Sequence, residues 1–100
     1  MIRFEWDKNK NLKNIKKHHV SFEEAVSAFF DESSLIIEDE QHSELEERFV
    51  LMGLSTKGNL LVVCHCYRNV DETIRIISAR KATKREETYY VRGIDDEKGI

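Results

Sequence analysis

Residues 73–90, TIRIISARKATKREETYY, constrain this fold more than any other stretch. Thr73, Ile74, Ile76 and Ile77 are β-branched, which suits a pleated surface. They do not alternate strictly, which predicts a central strand buried on much of both faces. Thr83-Lys84-Arg85-Glu86 then fits the S/T-x-x-E capping box. In that arrangement the Thr83 hydroxyl accepts the Glu86 N–H while the Glu86 carboxylate reaches back. Gly93 supplies a C-terminal stop. The stretch therefore predicts a strand that feeds a helix.

The same stretch concentrates positive charge. From Ile74 to Arg92, six cations (Arg75, Arg80, Lys81, Lys84, Arg85 and Arg92) stand against Glu86 and Glu87. A basic strand end beside a basic helix N-terminus suits a phosphate. A solvated charged helix face accounts for the run equally well. Residues 1–20 hold six cations and two acids, whereas residues 21–47 hold ten acids and no cation. The net charge of −3 argues against a polyanionic partner, but local potential rather than total charge steers a ligand. Alternatively, an acidic middle and two basic ends pair within the molecule.

A chain of 100 residues makes one domain with a single modest core. No apolar run approaches the roughly 20 residues that span a bilayer. The N-terminus lacks a signal-peptide apolar region, so a cytoplasmic protein is expected. Cys64 and Cys66 flank His65 in an apolar strand and point the same way, as small hydrophobes kept as thiols. A Cys-His-Cys metal site lacks further ligands at useful spacing. Neither a metal nor a cofactor is expected.

Residues 1–6 read as a short strand, with Phe4 and Trp6 facing away from Arg3 and Glu5. Asp7 caps a helix over residues 8–18, whose narrow apolar stripe is Leu12 and Ile15, with His19 a further candidate. Ser21-Phe22-Glu23-Glu24 is a second capping box, followed by Phe22, Ala25, Val26, Phe29 and Phe30 at amphipathic spacing. That Phe face predicts packing under the sheet. Leu35-Ile36-Ile37 starts a strand, and the polar loop over residues 38–47 carries His42, a candidate because loops often bear function. Residues 48–53 and 60–67 form a hairpin about the turn at 55–59, and a second turn at 68–72 leads into the strand at Thr73. The result is an antiparallel meander.

If the basic stretch holds a phosphodiester, metal-free transfer at that phosphate needs a group to take the attacking hydroxyl's proton, charge to stabilise the pentavalent phosphate, and a group to protonate the leaving oxygen. His65, Glu86 and Tyr90 are the proton-transfer candidates, and Arg48, Arg68, Arg75, Arg80, Lys81 and Lys84 the phosphate candidates. Strand alternation places Ile74, Ile76, Ser78 and Arg80 on one face and Arg75, Ile77 and Ala79 on the other. Arg75 and Arg80 should then serve different surfaces. A histidine among valines is equally a hydrogen-bonded core residue. Glu86 as a helix cap and Tyr90 as a packing residue are the competing accounts, the first being preferred for Glu86. Arg80, at the strand exit, is the best single phosphate candidate.

Residues 75–83 with Glu86 and Tyr90 resemble the closing signature of the BrnT toxin family. Phe4-Glu5-Trp6-Asp7 with Lys10, Asn14 and Lys17-His18 resembles the family's opening, and Val20-Ser21-Phe22-Glu23-Glu24-Ala25 its second helix. Glu47-Arg48-Phe49, Gly53-Leu54-Ser55 and Gly58 resemble its first hairpin. The resemblance spans residues 4–92. It implies a ribonuclease toxin with a RelE-like α+β fold: two N-terminal helices on a small antiparallel sheet, then a C-terminal helix. One such domain is expected over residues 1–93, and the polar composition of residues 94–100 predicts a frayed tail. The resemblance implies an RNA substrate and neutralisation by an antitoxin bearing a ribbon-helix-helix domain, with operator DNA reached only through that antitoxin. Arg48, Arg75, Ser78, Arg80, Lys81, Thr83, Glu86 and Tyr90 fall on family motif positions, and His65 and Arg68 where members often carry similar residues. The expected catalytic set is His65, Arg80, Glu86 and Tyr90. The competing reading is a non-catalytic module whose basic patch holds an acidic protein or nucleic acid.

Overall fold

The computed structural model describes residues 2–38, 47–68 and 72–97. The chain runs β1 (Arg3–Glu5), α1 (Lys8–His18), α2 (Phe22–Ala28), β2 (Leu35–Glu38), β3 (Phe49–Leu54), β4 (Leu60–Arg68), β5 (Thr73–Lys81) and α3 (Lys84–Glu97). Strands β2 to β5 form the expected antiparallel meander, in a five-stranded sheet of order β1-β5-β4-β3-β2. The sheet as a whole is mixed rather than antiparallel. β1 pairs parallel to β5, with Arg3 opposite Thr73 and Glu5 opposite Arg75. A hairpin dictates an antiparallel neighbour, but no hairpin joins β1 to β5. The direction of that pair is set by the path of the intervening chain, which sequence periodicity does not encode.

The core lies between one face of the sheet and α2. Val20, Phe22, Ala25 and Ala28 meet Leu51, Leu61, Val63, Ile74, Ile76 and Ala79 there, flanked by Phe4, Trp6, Val26 and Phe29. The Ser21 hydroxyl accepts the Glu24 N–H at 3.0 Å, half of the expected capping box. The Glu24 carboxylate turns inward instead, accepting from Ser55 Oγ at 2.7 Å and Asn59 Nδ2 at 2.8 Å. It thereby ties α2 to the β3–β4 turn. α2 ends at Ala28, so Phe30 leaves the amphipathic stripe and is 74% exposed. The helix end sits so close to β3 that a Cβ on Gly53 would lie 2.5 Å from the Ala28 carbonyl oxygen, and only glycine fits.

A β-bulge in β5 resets the faces. Cys64 pairs with Ser78 but His65 with Ile76, so Ile77 has no partner opposite it. Before the bulge Ile74 and Ile76 point into the core; after it, Ala79 does. Arg75, Ser78 and Arg80 consequently share the opposite face, together with Val62, Cys64 and Cys66 of β4. The expectation that Arg75 and Arg80 serve different surfaces fails because one extra residue shifts the alternation.

α3 was expected to stop at Gly93, but it continues to Glu97. Gly93 does not adopt a positive φ, so it cannot end the helix in the left-handed manner. It lies instead against Leu35 of β2, whose methyl carbons would be 3.5 Å from a Cβ at that position. Leu35 pairs with Met52, which places α3 over the β2–β3 part of the face opposite α2. Among the described residues, no helix is long and apolar enough to cross a membrane.

Candidate active site

α1 is docked by polar side chains, not by its apolar ones. Leu12 is 65% exposed and Ile15 39%, so the expected apolar stripe faces water. The buried residue is Asn14. Its Nδ2 donates to the carbonyls of Val20 and Ala79, both at 2.8 Å, and its Oδ1 accepts the Ala79 N–H at 3.1 Å. β1 pairs only with residues 73–75 of β5, so the far half of β5 has an open edge on that side. The Asn14 amide completes that edge as a neighbouring strand would, which is why a polar residue sits where a sequence pattern seeks an apolar one. Asn11, one turn earlier, accepts the Phe22 N–H at 2.8 Å and so joins α1 to the start of α2.

This docking brings the last residue of α1, His18, beside the open face of the sheet. His18, Arg48, Ser78 and Arg80 surround a concavity of about 350 Å³ with Val50, Val62, Cys64, Ile77 and Ala79. Two guanidiniums, an imidazole and a hydroxyl thus stand around a largely apolar floor. Partial exclusion of water there strengthens hydrogen bonds to an anion. Of the expected residues, Arg48 and Arg80 meet here. His18 and Ser78 join them, neither having been singled out on chemical grounds. The signal for His18 is the polar series Asn11, Asn14, His18 at helical spacing on an otherwise lysine-rich helix.

Arg80 is held by the expected cap residue. Its Nη1 and Nη2 donate to the two Glu86 carboxylate oxygens at 2.7 and 2.9 Å. The capping box also forms: Thr83 N–H donates to Glu86 Oε1 at 2.9 Å and the Glu86 N–H to Thr83 Oγ1 at 3.2 Å. The Arg80 hydrogen bonds, opposed by burial and aided by Thr83, lower the Glu86 carboxyl to about 2. The same pairing raises the Arg80 guanidinium. A carboxylate this acidic is a weak proton acceptor, so the geometry suits Glu86 to orienting Arg80 rather than to general-base chemistry.

The ion pair makes acid stability testable. Glu86 titrates lower folded than unfolded, so its contribution is complete above the ordinary value of 4.5 and is lost as pH falls through about 2. Partial exposure limits the contribution to about 1 kcal/mol. Thermal unfolding across that window should show a loss in the wild type that is smaller in Glu86→Gln. Parallel curves for the two proteins would remove Glu86 as the source.

The remaining candidates lie elsewhere. His65 is fully buried on the helix-facing side, its ring edge-on to Phe29 and Tyr67 and tilted against Phe49. Its Nδ1 lies 3.2 Å from the Val63 carbonyl, and burial lowers its pKa. It is a core residue remote from water, because the face of β4 that carries it is the one α2 and Phe29 cover. Tyr90 donates to Asp31 in the turn between α2 and β2, fastening α3 away from the concavity. Burial would raise the Asp31 carboxyl, but hydrogen bonds from Tyr90, Leu54 and Ser33 bring it below its ordinary value. Arg75 and Arg68 share Glu5, at 2.8 and 3.9 Å, at the opposite end of β5. Lys81 and Lys84 are exposed at the β5 exit and the start of α3. His42 lies outside the described residues.

Comparison with known proteins gives the family and the fold. A family model described as "Ribonuclease toxin, BrnT, of type II toxin-antitoxin system" matches residues 6–86. The crystal structure of the Brucella abortus ribonuclease toxin BrnT superposes with a TM-score of 0.65 at 20% sequence identity, covering 84% of this chain and 100% of that one. At that identity the likeness establishes the fold. A search of curated proteins found no match.

Proposed function

The chain belongs to the BrnT family of ribonuclease toxins of type II toxin–antitoxin systems, and on that premise we propose that it cleaves RNA without a metal ion at the His18–Arg48–Arg80 concavity. The convergence of two arginines, a histidine and a serine hydroxyl on one concavity is the observation that carries this reading. The scissile phosphate sits between Arg48 and Arg80, whose donors neutralise charge as it grows on the phosphoryl oxygens. The ribose 2′-oxygen passes its proton to the His18 imidazole and bonds to phosphorus, and the bond to the 5′-oxygen breaks. A proton delivered to that oxygen completes the step, leaving a 2′,3′-cyclic phosphate. His18 is the proton-transfer group that lines the concavity, its imidazole nitrogens being able to take and give a proton. Glu86 keeps the Arg80 fork aimed. The toxin acts in the cytoplasm and is silenced by an antitoxin carrying a ribbon-helix-helix domain, through which alone it is brought to operator DNA.

The test is end-group analysis of RNA incubated with the purified chain in EDTA. Cyclic phosphate or 3′-phosphate on one product and 5′-hydroxyl on the other are expected. Products ending in 3′-hydroxyl, or cleavage that EDTA abolishes, would sink the mechanism. RNA binding without turnover would favour the non-catalytic module.

A further inference from the structure

We propose that α1 is the track along which the RNA strand runs beyond the cleavage concavity, an inference that rests on the ribonuclease reading for its substrate but not for its test. The helix carries Lys8, Lys10, Lys13, Lys16 and Lys17 and no acid. All five lysines are exposed. Lys10, Lys13 and Lys17 follow i, i+3, i+7 spacing and form one stripe along the helix. Among the described residues none of the five forms an ion pair; the nearby Glu23 accepts from Asn11 instead. In a chain of net charge −3, this is a line of positive charge without an ion pair, the N-cap carboxylate of Asp7 acting on Lys10 at its start.

Its place in the fold turns the line into a track. Asn14 fastens the helix to Ala79, the residue before Arg80, so the lysines are fixed relative to the guanidinium that faces the phosphate. The helix then ends in His18, which lines the concavity itself. An RNA whose scissile phosphate sits between Arg48 and Arg80 can therefore lay its neighbouring phosphates along the stripe. Lysine is a flexible point charge that serves backbone phosphates without reading bases. The contact favours single-stranded RNA, whose backbone can bend from the concavity onto a helix, and it adds affinity with no sequence preference. A length dependence follows. An oligonucleotide that outreaches the roughly 16 Å of α1 should bind more tightly than a dinucleotide.

Binding of a 2′-O-methyl oligonucleotide of that length, read by fluorescence anisotropy from about 50 mM to about 200 mM salt, tests this directly. The probe cannot react through its 2′-oxygen, so the outcome does not depend on cleavage. The triple variant Lys10→Gln/Lys13→Gln/Lys17→Gln keeps helix-forming side chains. It should raise Kd by about one to two orders of magnitude and make the log–log salt slope shallower by about 2, at roughly 0.7 per lost phosphate contact. Arginine at the same three positions should preserve the slope. An unchanged Kd and slope in a glutamine variant with native circular dichroism would overturn the track. They would leave the lysines to the helix dipole, or to an acidic protein partner. Absence of cleavage by the wild type, with the slope change intact, would count against the ribonuclease reading and not against this surface.

Discussion

Arg80→Ala is expected to lower kcat/KM for RNA cleavage by about 10²–10³-fold, the usual loss when one fixed donor to a developing oxyanion is removed. Arg80 lines the concavity with a guanidinium already oriented by two hydrogen bonds to Glu86, so little reorganisation is needed as phosphate charge grows. Part of its fork is engaged, so the phosphate takes the donors that remain; arginine has five N–H groups, of which Glu86 takes two and the Lys81 carbonyl a third. Arg80→Lys restores charge but not the fork, and should recover only a fraction of the loss. Stability should change by about 1 kcal/mol or less, because the pair is partly exposed. Steady-state kinetics beside urea unfolding separates the two effects. Cleavage within about threefold of wild type would place the phosphate on other residues, with Arg48 the first to test.

Asn14→Leu should destabilise the fold by about 3 kcal/mol, since lost hydrogen bonds at buried backbone groups cost roughly 1–3 kcal/mol each. Three hydrogen bonds disappear, and the carbonyls of Val20 and Ala79 and the Ala79 N–H lose their partner in a site that is 7% exposed. For a domain of this size, a loss of that order lowers Tm by about 12–24 °C. Asn14→Asp should fare no better, since a carboxylate has no N–H to offer the two carbonyls. Activity should fall with stability, because the same bonds place His18. A loss below about 1 kcal/mol in urea unfolding would show that the open half of β5 does not depend on this amide.

Much of the local structure was legible in the sequence because its causes are local. The Thr83–Glu86 capping box, the Asp7 cap of α1, the hairpin about Gly58 and the Phe22, Ala25 and Phe29 face each depend on residues a few positions apart. Arg80 was legible for the same reason, as a cation at a strand exit next to a capped helix. The rest of the candidate site was not. Alternation put Arg75 and Arg80 on opposite faces, and the bulge at Ile77 reversed that. His65, in a run of valines, reads equally as a reactive group or as a core residue until α2 and the residues after it are known to cover its face.

By itself, the sequence determined that this chain combines capped helices with β-branched strands, that its charge is segregated, and which apolar residues can form a core. These follow from side-chain period, capping chemistry and composition, which act within a few residues. Only the tertiary structure decided that β1 lies parallel to β5, that Asn14 rather than Leu12 docks α1, and that His18 lines one concavity with Arg48 and Arg80. Each of these joins residues far apart in the chain. Each also turns on hydrogen-bonding needs, an open strand edge and a shifted register, that exist only once the sheet has formed.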